Sequence, residues 1–95
     1  MPQLTSTVTT TNASRYLQQL CKHWSHKFSV EFDAANGSVA LPSATLTLGA
    51  TESQLVLTLD APESAELPRL GEVVADHLRR FAFREDLAID WRPSE

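Results

Sequence analysis

The sequence is poor in cysteine and glycine and has no long apolar run, and each shortage excludes a class of protein. Cys21 is the single cysteine in 95 residues, so neither an internal disulfide framework nor a four-cysteine metal site is possible. The three glycines are scattered, which excludes a glycine-rich phosphate loop. The longest apolar stretches are far too short to span a bilayer. The first residues also lack the basic and apolar segments of a secretory signal, so we expect a cytoplasmic protein.

Basic residues are also scarce, and this bears on the partners. The sequence has eight Lys and Arg residues and twelve Asp and Glu residues, which gives a formal net charge of −4. Proteins that bind phosphate backbones present a basic stripe, but the one basic cluster here, Arg79, Arg80 and Arg84, is followed at once by Glu85 and Asp86. We therefore expect neither nucleic acid nor an anionic membrane surface as a partner. The length and the 42% hydrophobic content predict one domain over residues 1–95.

Apolar periodicity predicts the secondary structure of the first two thirds of the chain. Residues 4–10 alternate as a strand, and Thr11, Asn12 and Ser14 then offer N-caps for a helix. The apolar face of this helix repeats at i, i+3 and i+4: Ala13, Tyr16, Leu17, Leu20, Cys21 and Trp24. Alternating segments over residues 28–59 predict four further strands.

Turn residues and a second apolar helix face predict the remaining secondary structure. Residues 34–37 predict a turn, because Asn and Gly accept positive φ at little cost. A second helix is expected to begin near Ser64, to carry Pro68 in its first turn and to end near Phe83. Its apolar stripe comprises Leu67, Leu70, Val74, Leu78 and Phe81. The alternation of residues 87–91 predicts a last strand.

The order β-α-β-β-β-β-α-β predicts an α+β fold. We expect a two-layer sandwich with one mainly antiparallel sheet and both helices on the same face, a ferredoxin-like plan enlarged by a hairpin. One continuous core is expected between the two layers. Its predicted members are Leu17, Leu20, Trp24, Phe32, Leu46, Leu57, Leu70, Val74, Leu78, Phe81 and Ile89.

The segment from Cys21 to His26 imitates a metal-binding motif, but helix geometry separates its members. At about 100° per residue, Cys21 faces the core while His23 lies on the other flank and His26 on the solvent side. Two imidazoles alone make a weak site, so we expect no structural zinc and no other cofactor. Cys21 is interpreted as a core residue and His26 as a surface residue, while His23 is interpreted as a packing residue at the core boundary.

A second candidate group, His77, Arg80 and Arg84, lies on the second helix. His77, at the edge of the apolar stripe, is either a proton-transfer group or ligand, or a hydrogen-bonded packing residue. The two arginines could hold a carboxylate or phosphate, although Arg84 could instead pair with an acid and favour the helix C-terminus. If the helices run antiparallel with their midpoints aligned, His77 is offset from His23 by about 9 Å along the axis. We therefore expect two separate candidate sites.

Three segments of the sequence resemble a bacterial family catalogued as domain of unknown function 2218. They are residues 16–27 (YLQQLCKHWSHK), residues 76–85 (DHLRRFAFRE) and residues 91–92, and the similarity extends over nearly the whole chain. Trp24 stands where Phe is more usual in the family. The resemblance implies no established activity, cofactor or catalytic residue. It does imply an accessory role in iron or siderophore handling, because relatives lie near genes for iron–siderophore uptake.

Two functions of different classes remain open at this point. The first is a non-enzymatic accessory or binding module, whose partner is an unknown small molecule or protein. The second is a small enzyme that uses His77 or His23 as general base, with Arg84 or Arg80 holding an anionic substrate. The sequence has neither a G-x-S-x-G elbow nor an H-E-x-x-H motif, and these absences favour the module.

Overall fold

The predicted alternation of strands and helices is present in the structure, a computed structural model that describes residues 3–42, 44–62, 67–82, 85 and 87–93. The elements of these residues follow the order β-α-β-β-β-β-α-β, as predicted. They are β1 (Gln3–Thr9), α1 (Ala13–Trp24), β2 (Ser29–Phe32), β3 (Asn36–Leu41), β4 (Ala44–Ala50), β5 (Gln54–Asp60), α2 (Leu67–Phe81) and β6 (Arg92–Pro93). Neither helix is long and apolar enough to cross a membrane within the residues described.

The strands form one antiparallel sheet with the spatial order β2-β3-β4-β5-β1-β6. This is a ferredoxin-like arrangement with β3 and β4 added between β2 and β5, so the predicted plan is confirmed. Because each neighbour is antiparallel, β1 and β2 run in the same direction, and so do β5 and β6. α1 must therefore return against β1 and α2 against β5, which makes the two helices antiparallel to each other.

The core lies between the sheet and the helices and largely contains the predicted residues. Seven of the predicted members are buried: Leu17, Leu20, Trp24, Leu46, Leu57, Val74 and Leu78. Leu70, Phe81 and Ile89 are half-buried and pack against this cluster. Phe32 was predicted wrongly, since its side chain is 41% exposed. It lies on the edge strand β2, where the polar side of α1 and not its apolar side is the neighbour.

The turn before β3 differs from the prediction in place and in mechanism. β3 already begins at Asn36, and the backbone N–H of Asp33 donates to the Asn36 carbonyl at 2.8 Å. The Asp33 carboxylate accepts hydrogen bonds from the N–H groups of Ala35 and Asn36, both at 2.8 Å, so a side chain closes the turn. No described residue has positive φ. Gly37 is needed for space instead, because a Cβ there would lie 2.8 Å from the Cys21 Sγ.

The last strand is shorter and later than predicted. Of the described residues after α2, only Arg92 and Pro93 form a strand, which pairs with β1 opposite Thr5 and Leu4. Side chains hold the segment before it: the Asp90 N–H donates to Ser6 Oγ at 3.2 Å, and the Trp91 indole N–H donates to the Gly71 carbonyl at 3.0 Å. The alternation of residues 87–91 therefore results from side-chain contacts with α2 and β1, and not from backbone pairing in the sheet. Ser64 and Phe83, the predicted limits of the second helix, lie outside the described residues.

Candidate functional site

The C-terminal turn of α1 packs against the second half of α2 through four aromatic rings. The His23 and His77 ring centroids lie 5.6 Å apart, and those of Trp24 and His77 lie 5.1 Å apart. His23 also contacts Phe81 edge to face at a centroid distance of 5.8 Å. We call these four residues, His23, Trp24, His77 and Phe81, the histidine–aromatic face.

Helix periodicity explains how this face is built. His77 and Phe81 are four residues apart and share one side of α2, whereas His23 and Trp24 are adjacent in the last turn of α1. Trp24 is 4% exposed and forms the floor, where it also contacts Phe28. His77 and Phe81 are half-buried, and His23 is exposed. Two imidazoles therefore sit over buried aromatic surface with access to solvent.

A backbone carbonyl fixes the tautomer of His77. Its Nδ1 lies 2.8 Å from the carbonyl oxygen of Val73, one turn earlier in α2. A carbonyl can only accept a hydrogen bond, so the Nδ1 carries the proton and donates. In the neutral ring the Nε2 then bears the lone pair, and it is the nitrogen free to accept a proton or bind a ligand.

The predicted separation of His23 from His77 is wrong. The helices are antiparallel, as assumed, but their midpoints are not aligned: the last turn of α1 lies level with His77 and Phe81. This stagger removes the expected axial offset, and the two candidate groups become one. Among the described residues, ring contacts join His23 and Trp24, but not His26, to His77.

The other predicted site residues occupy less constrained positions. His26 lies beyond the end of α1 and is exposed. Arg80 is exposed on α2, three residues after His77. Arg84 lies outside the described residues. The two-histidine contact is thus the part of the predicted site that the fold assembles.

A second cluster, which sequence reasoning missed, joins the start of α1 to the segment after α2. Thr10 Oγ1 donates to Glu85 Oε1 at 2.9 Å, and the Asn12 side-chain amide donates to Glu85 Oε2 at 2.8 Å. The Tyr16 hydroxyl also donates to Glu85 Oε2. We call Thr10, Asn12, Tyr16 and Glu85 the Glu85 clamp. Asn12 is the N-cap of α1, as predicted, but its side chain makes no capping hydrogen bond because it serves Glu85.

Electrostatics favour one protonation state of the Glu85 clamp. The hydrogen bond from Tyr16, with help from Asn12 and Thr10, holds the pKa of the Glu85 carboxyl below its usual range. Burial, together with the neighbouring Glu85 carboxylate, raises the pKa of Tyr16. Both shifts preserve a carboxylate that accepts and a phenol that donates. A buried Tyr in an apolar stripe needs a partner for its hydroxyl, and that requirement was the available sequence signal.

Comparison with known proteins agrees with the sequence resemblance. Residues 5–92 match a family described as uncharacterised proteins conserved in bacteria, domain of unknown function 2218. The chain belongs to this family. It is also similar to the protein PA4090 from Pseudomonas aeruginosa, whose structure was solved by NMR. The two sequences are 40% identical, and the two structures superpose with a TM-score of 0.83. That match covers 100% of this chain and 99% of PA4090. No curated protein matches the chain.

The first two of the three segments that carry the family resemblance meet in the structure at the contact between α1 and α2. They contribute Leu20 and Leu78 to the core, His23 and His77 to the histidine–aromatic face, and Glu85 to the clamp. Cys21, within the first segment, is 0% exposed, and burial raises the pKa of its thiol to about 11. Cys21 is therefore a core residue, as predicted. The resemblance thus includes both packing residues and chemically available ones.

An open groove among the described residues lies on the outer side of α1, apart from the histidines. It has a volume of about 700 Å³. Its lining combines the exposed Phe32 ring with side chains of α1: Ser14, Arg15, Gln18, Gln19 and Lys22. Sequence reasoning did not identify it, because Phe32 was assigned to the core.

Proposed function

We propose that the protein is a non-enzymatic accessory module that binds a small ligand at its histidine–aromatic face. The observation that supports this most is the 5.6 Å approach of His23 and His77, which come from different helices. His23 is exposed, and the hydrogen bond from His77 Nδ1 to the Val73 carbonyl leaves Nε2 as the other ring nitrogen for a ligand. Residues that serve packing alone have no need of an accessible nitrogen at this contact.

The chemistry of the face indicates the class of ligand. Aromatic surface favours stacking with a flat group, and imidazole nitrogens accept hydrogen bonds or bind iron, copper, nickel and zinc. The family resemblance adds iron–siderophore handling, so ferric chelates are the first ligands to test. We place this role in the cytoplasm as part of the same proposal.

The enzyme alternative has less support. The His77 tautomer suits a general base, but catalysis also requires a substrate held against that base, usually in a pocket that buries most of the ligand. His23 and Arg80 are both exposed, so the face is an open surface. A docking surface for a chelate fits this openness better than a reaction site does.

Thermal shift measurements on matched variants test the proposal. Ferric siderophores, haem and small carboxylates are added to the wild type and to His23→Ala, His77→Ala and His26→Ala. A ligand selective for the native state raises the Tm. We expect at least one ferric chelate to do so in the wild type and in His26→Ala, an exposed histidine outside the face, but not in the other two variants. The proposal is wrong if no ferric chelate shifts the wild type, or if the shift survives in His23→Ala and His77→Ala.

A further inference from the structure

We infer that His23 and His77 together form a two-imidazole site for a divalent transition-metal ion, which binds Cu²⁺ more tightly than Ni²⁺ or Zn²⁺. This inference rests on the proposed function, because it concerns the same face and names the chemistry of its ligand. The sequence alone predicted no metal site, because an offset of about 9 Å along the helix axis was expected to keep His77 away from His23.

The ring separation fits a shared ion. A histidine nitrogen binds Zn²⁺ at about 2.0–2.1 Å and lies about 1.2 Å from its own ring centroid, which places the ion about 3.2 Å from each centroid. Two rings at a tetrahedral angle then have centroids about 5.2 Å apart. The centroids of His23 and His77 are 5.6 Å apart. The observed separation is therefore close to the tetrahedral value.

The hydrogen bond from His77 Nδ1 to the Val73 carbonyl is the second observation. Histidines that bind metals usually donate their other ring N–H to a carboxylate or backbone carbonyl, which fixes the tautomer and orients the ring. His77 already has this arrangement, with Nε2 as the nitrogen left to bind the ion. The helix therefore sets the tautomer of one ligand in advance.

The site supplies two protein ligands and leaves the remaining positions open. No group of three His, Cys, Asp or Glu side chains that could enclose an ion occurs in the residues described. Cys21, two residues before His23, is buried in the core and packs closely against Gly37. Water or a chelator must complete the coordination. Such a site exchanges its metal readily. A module that receives a metal from a small chelate requires this property.

Copper binding without any chelator tests the inference. Cu²⁺ alone is titrated into the untagged chain by calorimetry, and electron paramagnetic resonance reports the nitrogen ligands. We expect one Cu²⁺ per chain in the wild type and in His26→Ala. Loss of one imidazole leaves a single protein ligand, so the affinity of His23→Ala and His77→Ala should fall at least tenfold. Ni²⁺ and Zn²⁺ should bind more weakly, in line with the general order of divalent metals.

The outcomes separate this inference from the proposed function. An affinity for Cu²⁺ that His77→Ala leaves unchanged overturns the metal site, as does an equal loss in His26→Ala. If ferric chelates still raise the Tm of the wild type in that case, the binding module stands without its metal ligands. If Cu²⁺ binds as expected but no ferric chelate does, the metal site stands and the proposed function is wrong. A cooperative thermal unfolding transition in each apo variant shows that it folds.

Discussion

Among the described residues, the Glu85 clamp and the histidine–aromatic face both join α1 to α2 or to the segment after it, and the two differ in how completely their polar groups are satisfied. In the Glu85 clamp three donors converge on one carboxylate. In the histidine–aromatic face one ring nitrogen of His77 is bonded to a carbonyl, while the His77 ring as a whole is half-buried and the His23 ring is exposed to solvent. The first arrangement uses its hydrogen-bonding capacity internally, and the second keeps part of it available.

The contrast separates a structural role from a binding role within one contact region. A carboxylate that already accepts three hydrogen bonds has little to offer a ligand, but it holds the segment after α2 against the start of α1. An imidazole with only one of its two nitrogens hydrogen-bonded contributes less to folding and remains chemically available through the other nitrogen. Variants of the two regions should therefore have opposite signatures, with stability lost at the clamp and binding lost at the face.

The largest loss of stability is expected from a substitution in the core that lies below both regions. Leu78 lies one residue from His77 and is 0% exposed. Leu78→Ala should lower the free energy of unfolding by about 2–5 kcal/mol, because it removes buried methyl groups and leaves a cavity. Urea unfolding measures the change. Val73→Ala, a 41% exposed position on the same helix, is the control and should change the free energy by about 0.5 kcal/mol or less.

Close packing of α1 on the sheet predicts the next largest effect. A Cβ at Gly37 would lie 2.8 Å from Cys21 Sγ and 3.3 Å from a Leu17 methyl, so Gly37→Ala should cost about 1–3 kcal/mol. Cys21→Ala makes room, and in the double variant the two costs should be less than additive. Gly49→Ala is the control, because no atom lies within 4 Å of its added Cβ. Additive costs would show that α1 does not approach Gly37 this closely.

The Glu85 clamp should affect stability less, and in a way that depends on pH. Glu85→Gln replaces an acceptor of three hydrogen bonds by an amide that brings its own donors, so the Tm at neutral pH should fall. Glu52→Gln, in an exposed turn, should leave it unchanged. Because the pKa of Glu85 is lowered on folding, its contribution is complete above the unfolded value of 4.5 and is lost as the pH falls through the folded pKa. The difference from the wild type should therefore shrink in acid.

Tyr16 should make the stability of the Glu85 clamp depend on pH in the alkaline range as well. Its pKa is raised above the ordinary 10.0 on folding, so its contribution is complete below pH 10.0 and is lost as the pH rises through the folded pKa. Tyr16→Phe should lower the Tm at neutral pH, and its deficit relative to the wild type should shrink above pH 10. A deficit that is constant across this range would mean that the phenol stabilises by packing alone.

Much of the fold followed from periodicity because burial in this protein follows the pleat and the helical repeat closely. Leu17, Leu20 and Trp24 recur at helical spacing and are all buried. Errors arose where a neighbour, and not the local pattern, decides the outcome. Phe32 alternates correctly but lies on an edge strand, and residues 87–91 alternate but are held by side chains and not by a ladder.

The candidate site was predictable in its residues but not in its geometry. His23 and His77 could be chosen because imidazoles near an apolar stripe are chemically versatile. Their distance depends on how far one helix slides along the other, and this is set by packing of the core and by the Glu85 clamp. No local pattern encodes such a stagger. The clamp itself joins residues 69–75 positions apart, which a single sequence cannot reveal.

The smallest expected change in stability comes from the histidine–aromatic face. His77→Ala removes a half-buried ring whose intramolecular hydrogen bond goes to a helical carbonyl, so part of the lost contact is replaced by solvent. The free energy of unfolding should change by about 1 kcal/mol or less, well below the effect of Leu78→Ala on the adjacent residue. Calorimetric unfolding of both variants beside the wild type gives the comparison. A loss as large as that of Leu78→Ala would identify His77 as a packing residue, whereas near-native stability combined with lost Cu²⁺ binding would establish that the face is kept for its ligand.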